Sequence, residues 1–308
     1  MPIQPSAFAL TGRDTYAVMV LCAGDATTIF DQFKAQNPSG NPTLPDAGDG
    51  NFSYLKGPNW QIVGQLRADD DIVTDQSNCY FGVFLRCGAA FGPFKVNDLV
   101  VAVKGTSDVL EWVDDGASLF PTDPEPGEPG DVALGFWRIY QTLDFADWTN
   151  GTARSPLVPR IVAEASKAGF DAAVNRIFVV GHSLGAALAT YLTYDLWQAT
   201  PAPLKGCIAP YFFASPKTGA ASNVANYAAV VATYNLANYQ NDLVPQLPFA
   251  QLGYCALLNL GGQQNSIVLR PGGQPWIPGV LDVGHNHSTV LYARLLDPNN
   301  GEALRRPI

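Results

Sequence analysis

The chain contains one serine whose sequence setting could make it a nucleophile. Ser183 lies within Gly181–Gly185, which reads Gly-His-Ser-Leu-Gly, between an apolar β-branched run and an Ala- and Leu-rich helical pattern. A strand that turns this sharply into a helix crowds its own backbone, so the positions flanking the serine by two must be very small. The turn would lift the hydroxyl clear and aim N–H groups of the helix start toward it. The alternative is a serine in an ordinary glycine-rich turn.

A serine nucleophile needs a base, usually histidine, and the chain has three histidines. His182 adjoins the serine, and at the apex of the turn we expect its side chain to point away from the hydroxyl in a structural role. His285 and His287 remain as candidate bases, in a loop that precedes an amphipathic pattern. Two alternatives stay open: both are surface residues, or Asp282, His285 and His287 together bind a metal such as zinc.

The acidic partner of such a histidine is predicted to be Asp242. This residue follows the predicted strand Thr233–Ala237, and in open α/β sheets sites assemble beyond the carboxyl ends of the strands. The chain order is then Ser183, Asp242, His287, as expected for an α/β hydrolase. From local sequence alone, Asp242 could equally be a plain turn residue.

An acyl-transfer intermediate also requires hydrogen-bond donors for its oxyanion. The N–H of Leu184, directly after the serine, is one candidate. The second is Thr106, which follows a buried strand pattern and Gly105, whose missing side chain permits a tight bend. Thr106 could also cap the next helix, and the two roles are compatible.

Predicted strands and helices alternate in the second half of the chain. This alternation favours parallel βαβ units in an open sheet, which would position the residues above. The predicted strands are Tyr16–Cys22, Gln61–Arg67, Tyr80–Arg86, Leu99–Lys104, Arg176–Val180, Ile208–Phe213, Thr233–Ala237 and Ser266–Arg270. The predicted helices are Ala26–Gln36, Val109–Asp115, Phe136–Leu143, Pro156–Ala168, Gly185–Trp197, Ser222–Val231 and His287–Leu296. The first of these strands fits a helix equally well.

Composition excludes several classes of protein. Hydrophobic residues make up 47% of the 308 residues and charged residues 15%, which is typical of a globular protein. A net charge of −9 argues against nucleic-acid binding and against electrostatic attachment to anionic membranes. No apolar run is long enough to span a membrane. No signal peptide is visible either. Two compartments are therefore possible: the protein is cytoplasmic, or it is secreted with a leader that is absent from this sequence. The five cysteines lack metal-type spacing; they could form at most two disulfides, and buried free thiols are the prediction.

Five segments together resemble the class 3 lipases, the family of the small fungal triacylglycerol lipases. The resemblance runs in order from about residue 99 to residue 296, so the first hundred residues are least covered. The segments are Val103–Thr106 with Glu111–Asp115, the serine turn Gly181–Ala186, Phe213–Gly219, Asn241–Pro248, and His287 with Tyr292.

This resemblance implies one α/β-hydrolase domain over residues 1–308, with a mostly parallel central sheet flanked by helices. It implies hydrolysis of lipid esters by Ser183, His287 and Asp242, with Thr106 and the Leu184 N–H as oxyanion donors and with no cofactor or metal. The spacing to Tyr292 favours His287 over His285, which is the alternative base. A soluble carboxylesterase or feruloyl-type esterase is the alternative enzyme, and a catalytically silent interaction module on the same fold is the remaining one.

The resemblance also implies a lid over the site, after Asp115, and transient contact with a lipid–water interface. The proline-rich composition of residues 120–130 argues against a simple helical lid. The chain departs from the family at two positions: Lys104 stands where arginine is usual, and Ala133 stands where histidine is common.

Overall fold

The computed structural model describes residues 13–36, 42–46, 48–70, 76–106, 130–257, 265–270 and 282–297. Nine strands in this part of the chain form one mixed sheet. They are β1 (Trp60–Asp70), β2 (Gln76–Cys87), β3 (Leu99–Val103), β4 (Asp144–Asp147), β5 (Asn150–Pro156), β6 (Ile177–His182), β7 (Ile208–Phe213), β9 (Asn235–Tyr239) and β11 (Asn265–Leu269). A separate two-stranded sheet pairs β8 (Gly219–Ala220) with β10 (Tyr254–Cys255).

The strand order of the large sheet is β11-β9-β7-β6-β3-β2-β1-β4-β5. From β3 to β11 neighbouring strands pair in parallel, and from β3 to β5 they pair antiparallel. The carboxyl ends of β3, β6, β7 and β9 therefore meet at one edge of the sheet, where sites of open α/β sheets form.

Helices cover both faces of the sheet, which confirms the predicted α/β class. The helices of the described residues are α1 (Arg13–Gln36), α2 (Leu134–Gln141), α3 (Leu157–Ala165), α4 (Leu184–Ala199), α5 (Ala202–Lys205), α6 (Ala221–Val230), α7 (Val283–Asn286) and α8 (Thr289–Leu296). One core layer contains buried residues of α2, α3, α4 and α6, and the other contains those of α1 and α8.

Strand β3 shows why the sheet separates two core layers. All five of its residues are buried. Val101 and Val103 belong to the layer under α4, whereas Val100 and Ala102 belong to the layer under α1, since successive side chains of a strand point to opposite faces. A strand buried on both faces needs a continuous apolar sequence, and β6 follows the same rule.

The strand predicted at Tyr16–Cys22 is wrong, and the helical alternative is correct. The segment lies inside α1, which also includes the predicted helix Ala26–Gln36. Tyr16–Cys22 is almost entirely buried against the sheet and α8, so its sequence lacks the polar face that marks a surface helix.

Two further differences separate the structure from the prediction, and one part of the prediction is untested. The hairpin formed by β4 and β5 was not predicted, because its strands are short and largely polar. The helix predicted at His287–Leu296 begins two residues later, as α8, and the short helix α7 before His287 was not predicted. Helix Val109–Asp115 and the lid region after it lie outside the described residues, and a single domain over residues 1–308 stays a prediction.

All five cysteines lie in the described part of the chain, and none forms a disulfide. Cys22, Cys87 and Cys207 are buried as predicted, whereas Cys79 and Cys255 are half-buried. Of the helices that the structure describes, none is long and apolar enough to cross a membrane.

Candidate active site

The turn from β6 into α4 has the strained geometry that the sequence predicts. Ser183 has φ 59° and ψ −131°, a region that residues with a side chain rarely adopt. A Cβ on Gly181 would lie 2.2 Å from the Gly185 carbonyl oxygen, and a Cβ on Gly185 would lie 2.5 Å from the carbonyl oxygen of Val103. Both glycines are therefore required for α4 to start directly above β6 and beside β3.

Backbone contacts hold the serine at the edge of the sheet. The N–H of Ser183 donates to the carbonyl of Phe213, the last residue of β7, at 3.0 Å. Leu184 is the first residue of α4, so its N–H has no acceptor within the helix and is available to a substrate oxygen. This arrangement supplies one of the two predicted oxyanion donors.

The structure brings Asp242 and His287 together across 45 residues of chain. The Nδ1 atom of His287 lies 3.0 Å from Oδ1 and 2.9 Å from Oδ2 of Asp242. Both side chains are buried, with 2% and 0% of their surfaces exposed. A carboxylate at Nδ1 fixes the tautomer in which Nε2 carries the free lone pair of a base.

Asp242 is itself held by two further donors. The Tyr292 hydroxyl donates to Oδ2 at 2.7 Å, and the Val244 N–H donates to Oδ1 at 3.0 Å. The same Tyr292 oxygen accepts the N–H of Tyr239 at 2.9 Å, which ties α8 to the end of β9. Burial, and then the Asp242 charge, raises the pKa of Tyr292 well above its ordinary value, so the phenol stays protonated and remains a donor.

The second predicted base, His285, does not reach this cluster. Its side chain is 43% exposed and pairs with Asp282, the residue that caps α7. Asp282, His285 and His287 therefore do not converge. Among the residues that the structure describes, no three His, Cys, Asp or Glu side chains are grouped to hold a metal ion.

Four polar atoms at the site are buried but have no hydrogen-bond partner among the described residues. They are Oγ of Ser183, Nε2 of His287, Oγ1 of Thr106 and Nε2 of His182. Such atoms are normally paired inside proteins, because an unpaired buried polar group costs about 1–3 kcal/mol. The first three belong to the nucleophile, base and oxyanion donor that the sequence predicts, so the unpaired groups include those that a reacting ester would engage, and the fourth belongs to the residue next to the serine.

The oxyanion loop, which we define as Lys104–Thr106, lies against the serine turn. A Cβ on Gly105 would lie 2.8 Å from the His182 carbonyl oxygen and 3.6 Å from Cβ of Ser183. Since Thr106 follows directly, the loop places a threonine beside the serine, where the sequence predicts the second donor.

Comparison with known proteins identifies the family of the chain. A model of the family described as Lipase (class 3) matches residues 100–252, about half of the 308 residues. The chain belongs to the class 3 lipase family. The lipase match includes Thr106, Ser183 and Asp242, whereas α1, His287 and Tyr292 lie outside it.

Curated relatives of this member of the class 3 lipase family cover part of its length. It is 30% identical to the secreted mono- and diacylglycerol lipase A of Penicillium cyclopium, over 51% of this chain and 45% of that protein. It is 29% identical to phospholipase A1-II 6 of Oryza sativa subsp. japonica, over 68% of this chain and 53% of that protein. The chain thus spans about half the length of the curated relatives it matches.

Solved structures of lipases extend the similarity to most of the chain. The triacylglyceride lipase of Rhizomucor miehei matches with a TM-score of 0.56 at 16% identity, over 83% of this chain and 81% of that one. A lipase from Rhizopus microsporus var. chinensis matches with a TM-score of 0.53 at 18% identity, over 82% and 74% of the two chains. At such identities the match concerns the fold, and it confirms the predicted α/β-hydrolase architecture.

One residue of the chain, His182, has a closer relation to the site than the sequence indicated. His182, assigned only a structural role, is buried with its ring centre 4.5 Å from that of His287. Its ring also forms a hydrogen bond with the backbone of His287. Burial, and then the His287 imidazole, lowers the pKa of His182 well below its ordinary value, so it is neutral and does not repel an imidazolium at His287. Its position next to Ser183 was the signal available in the sequence.

Proposed function

We propose that this protein hydrolyses carboxylic esters of lipids through an acyl-enzyme formed on Ser183. In the first step the Ser183 oxygen attacks the ester carbonyl carbon while Nε2 of His287 takes the hydroxyl proton. Asp242 stabilises the resulting imidazolium through Nδ1. The carbonyl oxygen becomes an oxyanion that accepts hydrogen bonds from the Leu184 N–H and from Thr106.

Collapse of this intermediate breaks the ester C–O bond. His287 returns its proton to the departing alcohol, and the acyl group remains on Ser183. A water molecule then attacks the acyl carbon as His287 takes one of its protons, and collapse of the second intermediate releases the carboxylic acid and restores the Ser183 hydroxyl. This cycle uses these side chains, the Leu184 N–H and water.

The observation that carries this proposal is the contrast between the two nitrogens of His287. Nδ1 is bound by a buried carboxylate, whereas Nε2 is buried with no partner in the described part of the chain. A general base needs this arrangement, since the carboxylate orients the ring and the free nitrogen can take a proton. The unpaired hydroxyls of Ser183 and Thr106 support the same interpretation.

Replacing the nucleophile and the two candidate bases tests the mechanism. Ser183→Ala should abolish turnover of a 4-nitrophenyl ester and labelling by a fluorophosphonate, while the thermal unfolding midpoint changes little. His287→Asn should reduce kcat by several orders of magnitude. His285→Asn is the matched control two residues away and should keep wild-type activity. Full activity of the His287→Asn protein would refute the assignment.

A lipid substrate is supported by family membership and by the names of the relatives, which describe a mono- and diacylglycerol lipase and a phospholipase A1. A graded series of esters tests this part of the proposal. We expect turnover of long-chain acylglycerols that rises when their concentration exceeds the solubility limit. Activity confined to short, dissolved esters would instead indicate a soluble carboxylesterase, and a folded protein that resists phosphonate labelling would indicate a silent module.

A further inference from the structure

We propose that Thr27 of α1 is a positioning residue that fixes the oxyanion loop for catalysis. The inference rests on the ester hydrolysis proposed above. It concerns a residue outside the segment that matches the lipase family, in the part of the chain where the sequence suggested no catalytic role.

The central residue of the oxyanion loop is held by side chains on both of its backbone groups. The Gly105 N–H donates to Oγ1 of Thr27 at 3.1 Å. The Gly105 carbonyl accepts from Nζ of Lys104 at 3.0 Å. Strand β3 ends two residues earlier, at Val103, so these contacts hold Gly105 beyond the end of the strand.

Helix α1 contributes to both contacts. Phe30 lies three residues after Thr27, so the two side chains share one face of the helix. The Lys104 ammonium lies 4.4 Å from the centre of the Phe30 ring and 5.0 Å from that of Phe81. The aromatic contacts direct Lys104 along the loop, and Thr27 holds the loop from the helix side.

The position of Gly105 matters because Thr106 follows it. Glycine has the widest backbone freedom of any residue, so the direction of the next residue is undefined unless neighbouring groups set it. An oxyanion donor has to stay within about 0.5 Å of its productive position, and a displacement of about 1 Å can cost roughly 100-fold in rate. The Thr27 hydroxyl provides the required constraint from outside the loop.

The neighbouring residue Thr28 offers a matched control. Both threonines are half-buried in the same turn of α1, and both hydroxyls donate to the carbonyl four residues earlier, Thr27 to Ala23 at 3.4 Å and Thr28 to Gly24 at 3.0 Å. Thr27→Val and Thr28→Val thus remove the same group from the same helix, but only Thr27→Val removes an acceptor for Gly105.

The test measures kcat and KM for a soluble short-chain 4-nitrophenyl ester, together with thermal unfolding. We expect Thr27→Val to lower kcat about tenfold with KM changed less than twofold, since a donor that costs 10²–10³-fold when deleted is here displaced but still present. Thr27→Ser, which retains the hydroxyl, should recover kcat to within about threefold. Thr28→Val should match the wild type, and all three variants should unfold within a few degrees of it.

The outcomes separate this inference from the proposed function. An active wild-type enzyme whose Thr27→Val and Thr28→Val variants have equal kcat would overturn the role of Thr27 alone. Loss of kcat in Thr27→Ser as large as in Thr27→Val would also overturn it, because the hydroxyl would then be irrelevant. A wild-type protein that neither hydrolyses the ester nor reacts with a fluorophosphonate would refute the ester hydrolase and this role together.

Discussion

Tyr292 links the stability of the fold to the geometry of the proposed base, and Tyr292→Phe separates these two effects. The substitution deletes one oxygen and keeps the ring, so the contacts of the ring with His182 and Tyr239 remain. The lost oxygen is fully buried and makes two hydrogen bonds, one to Asp242 and one from the Tyr239 N–H.

The free-energy cost follows from those two bonds. A hydrogen bond to a charged carboxylate contributes about 1.5–3 kcal/mol, and the Tyr239 N–H, left without its acceptor, costs about 1–3 kcal/mol more. Removing the hydroxyl also removes its own desolvation cost, so the sum is an upper bound. We therefore expect the free energy of unfolding to fall by about 3 kcal/mol. Because Asp242 keeps its contacts with Val244 and His287, kcat should fall about tenfold, far less than the roughly 10⁴-fold loss on replacing a triad carboxylate.

Tyr234→Phe provides the control for this measurement. Tyr234 is also fully buried, and its hydroxyl donates to the neutral Leu257 carbonyl at 2.8 Å. Its loss should cost about 1 kcal/mol and leave kcat unchanged. Urea unfolding and initial rates on a soluble ester measure both quantities. A Tyr292→Phe protein that is as stable as Tyr234→Phe and fully active would refute the reasoning.

Three further substitutions test other parts of the structure. Ser183→Gly should be inactive but about 1–3 kcal/mol more stable to urea than Ser183→Ala, since only glycine relieves the strained backbone; equal stabilities would contradict this. Gly24→Ala should lower the free energy of unfolding despite the better helix propensity of alanine, because the new Cβ would lie 2.7 Å from Oγ1 of Thr289. Adding Thr289→Ala should restore the stability, and a double variant as unstable as the single one would refute the clash. Burial raises the pKa of Glu164, but hydrogen bonds from Lys167 and Arg86 outweigh it, and the pKa lies below its ordinary value. Glu164→Gln removes the charge from these ion pairs and should lower the free energy of unfolding by about 3 kcal/mol at neutral pH. That difference should shrink as the pH falls below about 4.5 and the wild-type carboxylate protonates; a difference independent of pH would argue against the ion pairs.

Local signals were sufficient where the structure depends on local sterics. The turn at Ser183 could be predicted because Gly181 and Gly185 are the residues that its backbone crowding requires. The buried strands β3 and β6 could be predicted from continuous apolar runs. Tyr16–Cys22 shows the limit of such signals, since a short apolar run gives the same pattern in a buried strand and in a buried helix.

Long-range contacts were harder to predict. Neither the sequence around Asp242 nor that around His287 shows that the two side chains meet, and the choice over His285 rested on the spacing to Tyr292. The structure separates the histidines by exposure, since His285 is 43% exposed and His287 is 2% exposed. Thr27 had no signal at all, because a threonine that bonds within its own helix looks the same whether or not its oxygen also accepts from another segment.

The two core layers hold different parts of the proposed machinery. Ser183 directly precedes α4, whose buried apolar residues belong to the layer under that helix. The other parts depend on α1: Thr27 holds the oxyanion loop, and one turn earlier Gly24 lies against Thr289, two residues after His287. A shift of α1 relative to the sheet would therefore move the oxyanion donor and the base together, away from the serine. Since the reaction needs all three aligned at once, the near-complete burial of α1 between Tyr16 and Ala26 stabilises the geometry of the site as well as the fold.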